Sequence, residues 1–494
     1  MNESYLIGLD AGTTSIKGLL ISADGSHETF VQKEYSLEYG EGDIVELDPE
    51  IYWETTLYII DQLLKQSGIA PEKIRAISFS SQGETLIAVD VNGKPLRNAI
   101  VWLDNRSGEE AKTIEQYFSR QTILEKTGQP EMLPLWPATR ILWIRENEPD
   151  VFKKAGKFLL VEDFLIHRLT GRYCSEESLV SSTLCFDIQK KKWWDEMLDF
   201  LGINSQHLPE VMPSGTPAGK IQKEVALATG LSSDTVVITG GYDHVAGAIG
   251  SGNISEGIVS ETTGTSMAMA VTIDKPLLDM NLNLPCQCHA VPGKFILQPY
   301  GQTAGMVLRW FRDEFFPGDS YDLMSALAEK VPAGSEGLIM LPHLMGAGSP
   351  EFDTKVKGVF AGITPQMGKG HFVRAIMESV ACMISRNIDS LAKHGIKPAE
   401  IRALGGGAES DLWNRIKADM TGIPFITLQS RETPCLGAAI LAGIGCGIFK
   451  DLEEGCSQLV RLKNTYPPDP RHYATYKKVF EKYVMLYDQL KEYW

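Results

Sequence analysis

A ten-residue segment occurs twice in this chain, each time at the end of a long amphipathic pattern. Gly68-Ile-Ala-Pro-Glu-Lys-Ile-Arg-Ala-Ile77 returns as Gly395-Ile-Lys-Pro-Ala-Glu-Ile-Arg-Ala-Leu404, with glycine, isoleucine, proline, isoleucine, arginine and alanine at matching places. Before the first copy, Asp48-Pro49 offers a helix cap followed by proline, and Trp53, Leu57, Ile60 and Leu64 recur at helical spacing up to Gly68. Before the second, Phe372, Ile376, Val380, Ile384, Ile388 and Leu391 mark one helical face until Gly395. One short match can arise by chance. A second one follows in the same order. The apolar runs 5–9 and 16–21 are joined by Asp10-Ala-Gly-Thr-Thr-Ser15, which is hairpin chemistry, and Ser260-Glu-Thr-Thr-Gly-Thr-Ser266 repeats that turn before another apolar run. Together the matches point to a duplicated α/β unit.

At 494 residues the chain exceeds one ordinary core and fits two lobes with a cleft between them. The glycine-rich stretch 213–257 reads as strand, turn, strand, helix, and the boundary is expected near 250, giving domains 1–250 and 251–494.

Charge excludes one class of partner. The chain carries 47 basic and 63 acidic residues, a net charge of −16, and no basic run longer than Lys190-Lys191-Lys192, so nucleic acid is not expected. Eight cysteines are scattered; Cys286-Gln-Cys288-His289 lacks the further ligands of a zinc site and reads as reduced thiols near a strand. No basic n-region precedes the first strand and no apolar run is long enough for a membrane span, so the expected compartment is the cytoplasm.

Three glycine-rich turns could hold phosphate. In the first, backbone N–H groups and the hydroxyls of Thr13 and Thr14 leave room for an anion, Asp10 enters from the strand, and Lys17 adds a mobile positive charge. The second is Gly264-Thr265-Ser266, and the third is Gly405-Gly406-Gly407-Ala408, where three glycines let a flat base or a phosphate lie against the backbone. Neither the Walker nor the dinucleotide spacing is present. Small turn residues serve any hairpin, so each turn alone is weak and their combination carries the reading.

Asp243 follows the apolar strand 235–239 and a Gly-Gly turn, where a carboxylate can take a proton from a hydroxyl during phosphoryl transfer. The same residue also suits a helix N-cap. His244 reads as a packing or hydrogen-bonding neighbour. For the acceptor, Gln82 and Glu84 in one segment, and Trp102, Asp104 and Arg106 in another, supply the amide, carboxylate, indole and guanidinium groups that sugar hydroxyls and C–H faces require. The alternative for Asp104 and Arg106 is an exposed loop salt bridge.

Taken in order, these motifs resemble the FGGY carbohydrate kinases, which include xylulose, ribulose, fuculose, glycerol and erythritol kinases. The likeness spans nearly the whole chain. It rests on Asp10 to Lys17, Trp102 to Arg106, the Asp243 segment, Thr263 to Ser266, Gly405 to Ala408, and Phe360 to Ile363 with His371-Phe372 and Ala375 to Glu378. The segment Pro137 to Ile144 is similar to a second family signature, with Arg140 where the family usually has lysine.

The resemblance implies two ribonuclease H-like lobes of the actin-like ATPase class closing over ATP, Mg²⁺ and a small sugar or polyol. It implies Asp10 near the metal, Thr13, Thr14, Gly264, Thr265 and Gly305 around the phosphates, where the charge of Lys17 also stands, and Gly406, Gly407, Ala408, Asp411 and Asn414 along the adenosine. Asp243 would be the base, in contact with the acceptor. Gln82-Gly83-Glu84-Thr85 is similar to the Gln-Arg-Glu-Thr of glycerol kinases, except that Gly83 replaces the arginine. Loss of that side chain is expected to leave room for a four- to six-carbon ketose or polyol. Xylulose is the first guess and a short polyol such as glycerol the alternative, while Tyr242 stands where xylulose kinases commonly carry a smaller residue. A non-metabolic actin-like ATPase and a catalytically idle sugar-binding regulator are the readings from other classes. The acceptor set at 82–106 together with Asp243 favours the kinase. A homodimer is compatible with the sequence, which does not decide oligomeric state.

Overall fold

The computed structural model describes residues 4–494. The hairpin expected at the start forms from β1 (Tyr5–Ala11) and β2 (Ser15–Ser22), and β3 (Glu28–Glu34) extends it. The helix expected next is α1 (Pro49–Ser67), with Asp48 accepting from the Glu50 amide and Gly68 closing it in the left-handed conformation. The first segment copy becomes β4 (Ile74–Ser81). Helices α2 (Pro137–Asn147) and α3 (Val161–Thr170) follow, then β5 (Pro217–Lys220), β6 (Val236–Ile238), β7 (Gly241–Tyr242) and α4 (Asp243–Gly250). A short helix, Lys223–Thr229, stands between β5 and β6 where the sequence suggested only a turn.

The second half repeats the plan. It contains β8 (Ile258–Thr263), β9 (Met267–Ile273), β10 (Cys286–Cys288), β11 (Phe295–Leu297), β12 (Tyr300–Gly301) and α5 (Gly305–Phe315). Then come α6 (Lys369–Lys393), β13 (Glu400–Leu404), α7 (Asp411–Thr421), β14 (Phe425–Leu428), α8 (Thr433–Gly445) and β15 (Leu462–Tyr466).

Sheet order establishes the duplication. The first large sheet runs β5-β6-β4-β1-β2-β3, and the second runs β15-β14-β13-β8-β9-β11-β10. In each, three adjacent strands are parallel, the hairpin partner turns antiparallel, and an antiparallel strand closes the far side. The copies differ in register. Ala76 pairs with Leu6, six residues ahead of Gly12, whereas Ala403 pairs with Glu261, three ahead of Gly264. The cause is strand length: β4 continues to Ser81, while β13 stops directly before the triple-glycine turn.

Each half has an apolar core, and a third buried cluster joins them. Leu6, Leu19, Ile238, Val245 and Ile249 of the first half pack with Leu436, Ile440 and Leu441 of the second. The helices following the two central sheets, α4 and α8, cross at backbone distance. A side-chain carbon on Gly250 would meet the Thr433 carbonyl at 1.9 Å, and one on Gly437 would meet the Ala246 carbonyl at 1.9 Å. Only glycine permits that approach. It brings the starts of both halves' helices to one cleft.

Candidate active site

The first glycine-threonine turn is braced from behind. Its Gly12 amide donates to Ser15 O at 3.0 Å, and its Gly12 carbonyl accepts from the Tyr35 hydroxyl at 2.5 Å and from Gln82 Nε2 at 2.8 Å. Trp102 Nε1 donates to Thr13 Oγ1 at 2.8 Å, while Thr14 is exposed. Asp10 Oδ1 accepts from Ser80 Oγ at 2.7 Å. Lys17, opposite Asp10 in the hairpin, pairs with Glu432 at 2.7 Å.

The second turn is braced by buried groups. Gly264 donates to Ser266 O at 3.0 Å, and the Gly305 amide donates to Gly264 O at 2.8 Å, so α5 begins against the turn. Lys417 of α7, fully buried, donates to Glu261 at 2.7 Å and to Thr263 Oγ1 at 2.6 Å. The Thr263 side chain fills the space over Gly407, so the hairpin and the triple-glycine turn fix each other. Asn414 Nδ2 holds the Ala408 carbonyl at 2.8 Å, and exposed Asp411 accepts from the Tyr466 hydroxyl at 2.5 Å.

Two cavities meet at that turn. One, about 730 Å³, is lined by Gly264, Thr265, Gly305, Gly407, Asp411 and Trp413 among others. The other, about 590 Å³, lies between the lobes, lined by Asp10, Gly12, Lys17 and Asp243 from one side and Thr262, Ser266 and Ala408 from the other. Gly406 and Glu409 border both.

Asp243 is the first residue of α4 rather than its cap, and its Oδ1 accepts from the His244 amide at 2.6 Å. The turn carrying it is pinned from below: Gly240 donates to buried Glu162 at 2.7 Å and Tyr242 donates to Ser178 Oγ at 3.0 Å. Burial holds the Asp243 carboxyl above the usual carboxylate range. Burial likewise raises Asp10 to about 6, with Asp243 adding to the rise and the Ser80 hydrogen bond opposing it. Glu84 is pushed up to about 8 by burial and then by Asp243, against the pull of Arg140.

The acceptor segments are more internal than an exposed salt bridge would be. Asp104 is fully buried, accepts from the Val45 amide at 2.6 Å and holds Arg106 through both oxygens at 2.7–3.0 Å. Arg106 also reaches Glu46 at 2.6 Å. Gln82 spends its amide on Gly12 and its Oε1 on the Thr85 hydroxyl at 2.9 Å. Arg140 is sealed in the interior and donates to the carbonyls of Glu84 at 2.6 Å, Ile100 at 3.4 Å and Asp104 at 2.9 Å. It ties both acceptor segments to α2. The space over Gly83 is not vacant, as the sequence suggested: a side-chain carbon there would lie 2.8 Å from the Tyr242 ring and 2.8 Å from Ser182 Oγ. Cys286 and Cys288 are buried free thiols, and among the described residues no cluster of three or more His, Cys, Asp or Glu could hold a metal ion.

The family model for the N-terminal domain of FGGY carbohydrate kinases matches residues 5–250, and that for the C-terminal domain matches 260–446. The chain belongs to the FGGY family of carbohydrate kinases. It is 30% identical to a xylulose kinase of Bacillus subtilis, covering 99% of this chain and 97% of that one. It is 31% identical to a gluconokinase of the same organism, covering 97% and 95%. Its structure matches that of a ligand-bound xylulose kinase from Lactobacillus acidophilus with a TM-score of 0.91 at 30% identity, covering 99% and 98%. The fold is the two-domain actin-like one, as expected, and the kinase has no helix among the described residues long and apolar enough to cross a membrane.

Sequence reasoning missed four groups that brace the turns of this kinase's cleft: Glu432, Lys417, Glu162 and Ser178. Glu432 precedes Thr433-Pro434, a helix-start signal that locates α8 but not the ion pair with Lys17. The other three are buried partners of the turns and carry no local motif.

Proposed function

We propose that this kinase transfers the γ-phosphoryl group of ATP to a hydroxyl of a small ketose or polyol, with Asp243 as general base. One observation carries the reading. The two glycine-threonine hairpins, from separate lobes, border one cavity of about 590 Å³ in which Asp243 is the carboxylate at the start of a helix. The acceptor O–H gives its proton to Asp243, the oxygen bonds to the γ-phosphorus, and the bond to the bridging oxygen breaks to release ADP.

Thr13, Thr14, Lys17, Gly264, Thr265 and Gly305 would hold phosphate oxygens, chiefly through hydroxyls, the lysine charge and backbone N–H groups. Gly406, Gly407, Ala408, Asp411 and Asn414 would border the adenosine. Glu84 and Trp102 would meet the acceptor, while Gln82, Asp104 and Arg106 set the loops that present them. Asp10 suits Mg²⁺: one oxygen is free of the Ser80 bond, and burial beside Asp243 leaves a negative site that a cation would relieve. Asp10 would hold the metal, which when bound would supply charge neutralisation for the phosphates. We place the lobes at 1–250 and 251–494 and the kinase in the cytoplasm.

The test is Asp243→Ala in a coupled ADP-release assay against ketoses and polyols. Nucleotide binding should persist while turnover falls by roughly 10²–10⁴-fold or more. Retention of most acceptor-dependent turnover would refute the assignment.

A further inference from the structure

This inference deepens the proposed function and rests on it. The cavity of about 730 Å³ and the interlobe cavity of about 590 Å³ share Gly406 and Glu409 in their linings. A nucleotide whose base lies by Gly407 and Asp411 in the first, and whose γ-phosphate faces Asp243 in the second, carries its phosphate chain past that pair. Gly406 presents only backbone to it. Glu409 presents a carboxylate, which alone would repel a polyanion.

Arg431 answers that charge. It stands in the loop between β14 and α8, lines the interlobe cavity, and donates from Nη2 to Glu409 Oε2 at 2.8 Å. The pair is solvent-exposed, with the arginine side chain 73% accessible, so it contributes little to the fold and a ligand can reach it. A guanidinium carries several N–H donors in a planar fork. Among the described residues this one makes no other hydrogen bond or ion pair, so most of its donors are uncommitted.

The next residue, Glu432, holds Lys17 of the first hairpin at 2.7 Å. Consecutive residues of one loop thus reach the triple-glycine turn of the second lobe and the glycine-threonine turn of the first. Lys463 of β15 lines the same cavity, and among the described residues its ammonium group has no partner. It adds to the field without being held in one place, whereas Glu409 fixes one edge of the Arg431 fork.

We propose that Arg431 is a further phosphate-binding residue of this kinase: anchored on Glu409, it gives its remaining N–H groups to the phosphate chain of ATP. Because it lines the interlobe cavity and not the other, its contact is with the β- or γ-phosphate rather than the α-phosphate. A charge-assisted fork is the stronger kind of phosphate contact, and a lysine at the same place would supply charge without the fork.

The experiment measures the dissociation constants of ATP, ADP and AMP, by displacement of a fluorescent ATP analogue in the presence of Mg²⁺, for the wild type, Arg431→Ala, Arg431→Lys and Lys463→Ala. Thermal unfolding of each accompanies it. Arg431→Ala should weaken ATP about tenfold or more while AMP changes less than about twofold and the unfolding temperature stays put. Arg431→Lys should recover part of the loss, and Lys463→Ala should weaken ATP less than about threefold. Adding Glu409→Gln to Arg431→Ala should restore part of the ATP affinity, since it removes the carboxylate left unpaired beside the phosphates. Unchanged ATP binding in Arg431→Ala, an equal loss for AMP, an equal loss in Lys463→Ala, or no recovery on removing Glu409 would each overturn the proposal. A wild-type protein that binds no ATP fails the proposed function itself, whereas one that binds ATP and loses nothing in Arg431→Ala sinks this inference alone.

Discussion

Lys17 of the first hairpin and Glu432 at the start of α8 form a 2.7 Å ion pair that joins the two lobes beside Asp10. Both are about a quarter exposed, so water and salt reach the pair. A triphosphate arriving at the hairpin competes with Glu432 for the same ammonium group.

The first prediction follows from that competition. A part-exposed pair is worth about 0.2–1 kcal/mol, so Glu432→Gln should release Lys17 and lower the KM for ATP by about 1.4- to fivefold. Lys17→Met should raise it, and the double variant should resemble Lys17→Met. Steady-state kinetics over a salt series checks this: the gain in Glu432→Gln should shrink as ionic strength rises.

A second prediction concerns Glu84 and pH. Its carboxyl sits at about 8 in the folded chain against 4.5 for the free group, because burial and then Asp243 disfavour the ionised form, partly offset by Arg140. Between those values the folded state binds more protons than the unfolded one, so this group's contribution to stability falls as pH rises from about 4.5 to about 8. Glu84→Gln keeps the shape without the charge. It should therefore be as stable as wild type near pH 4.5 and more stable at pH 7, by about 1–3 kcal/mol. Thermal unfolding of both proteins across that range gives the difference directly, and a constant difference would show that the folded environment does not favour the neutral acid.

The turns, the helix caps and the repeat were legible in the sequence because each is a local signal. Asp48-Pro49 and Gly68 bound α1 at the expected places, and Gly395 lies two residues past the end of α6. What could not be read depends on contacts between distant residues. Lys17 meets Glu432 across 415 positions, Lys417 meets Glu261 across 156, and Glu162 meets Gly240 across 78. The same holds for Gly83. Its missing side chain suggested free space, yet the ring of Tyr242, far along the chain, occupies it. Register was hidden as well, since the three-residue offset between the halves depends on where β4 and β13 end.

Lys417 and Glu261 give a third prediction. Both are fully sealed from solvent, and Thr263 hydrogen-bonds to each of them. Removing one charge leaves the other buried without its partner, which typically costs 3–5 kcal/mol, whereas removing both together costs far less. Lys417→Met should unfold at markedly lower denaturant than Lys417→Met with Glu261→Gln. Because Thr263 also packs on Gly407, even the stable double variant should bind nucleotide more weakly at unchanged acceptor KM.

Glu162 supplies the last prediction. Its Oε1 takes the Gly240 amide at 2.7 Å, three residues before Asp243, and the buried Glu176 beside it holds Ser178, which in turn accepts from the Tyr242 amide at 3.0 Å. Two backbone N–H groups of the turn are thus fixed, and the direction of Asp243 follows from them. The carboxyl of Glu162 stands well above its ordinary range, because burial and then the neighbouring Glu176 disfavour its charge. Its task is therefore to accept a hydrogen bond rather than to carry a charge. Glu162→Gln retains an oxygen for Gly240 and should keep kcat within about threefold, while Glu162→Leu leaves that amide unsatisfied at a cost of about 1–3 kcal/mol and lets the turn shift. A misaimed base lowers kcat without altering nucleotide affinity, so Glu162→Leu should lose about 10- to 100-fold in kcat at constant KM for ATP. Equal losses in the glutamine and leucine variants would mean that the charge itself matters, and that the turn is held by something other than this hydrogen bond.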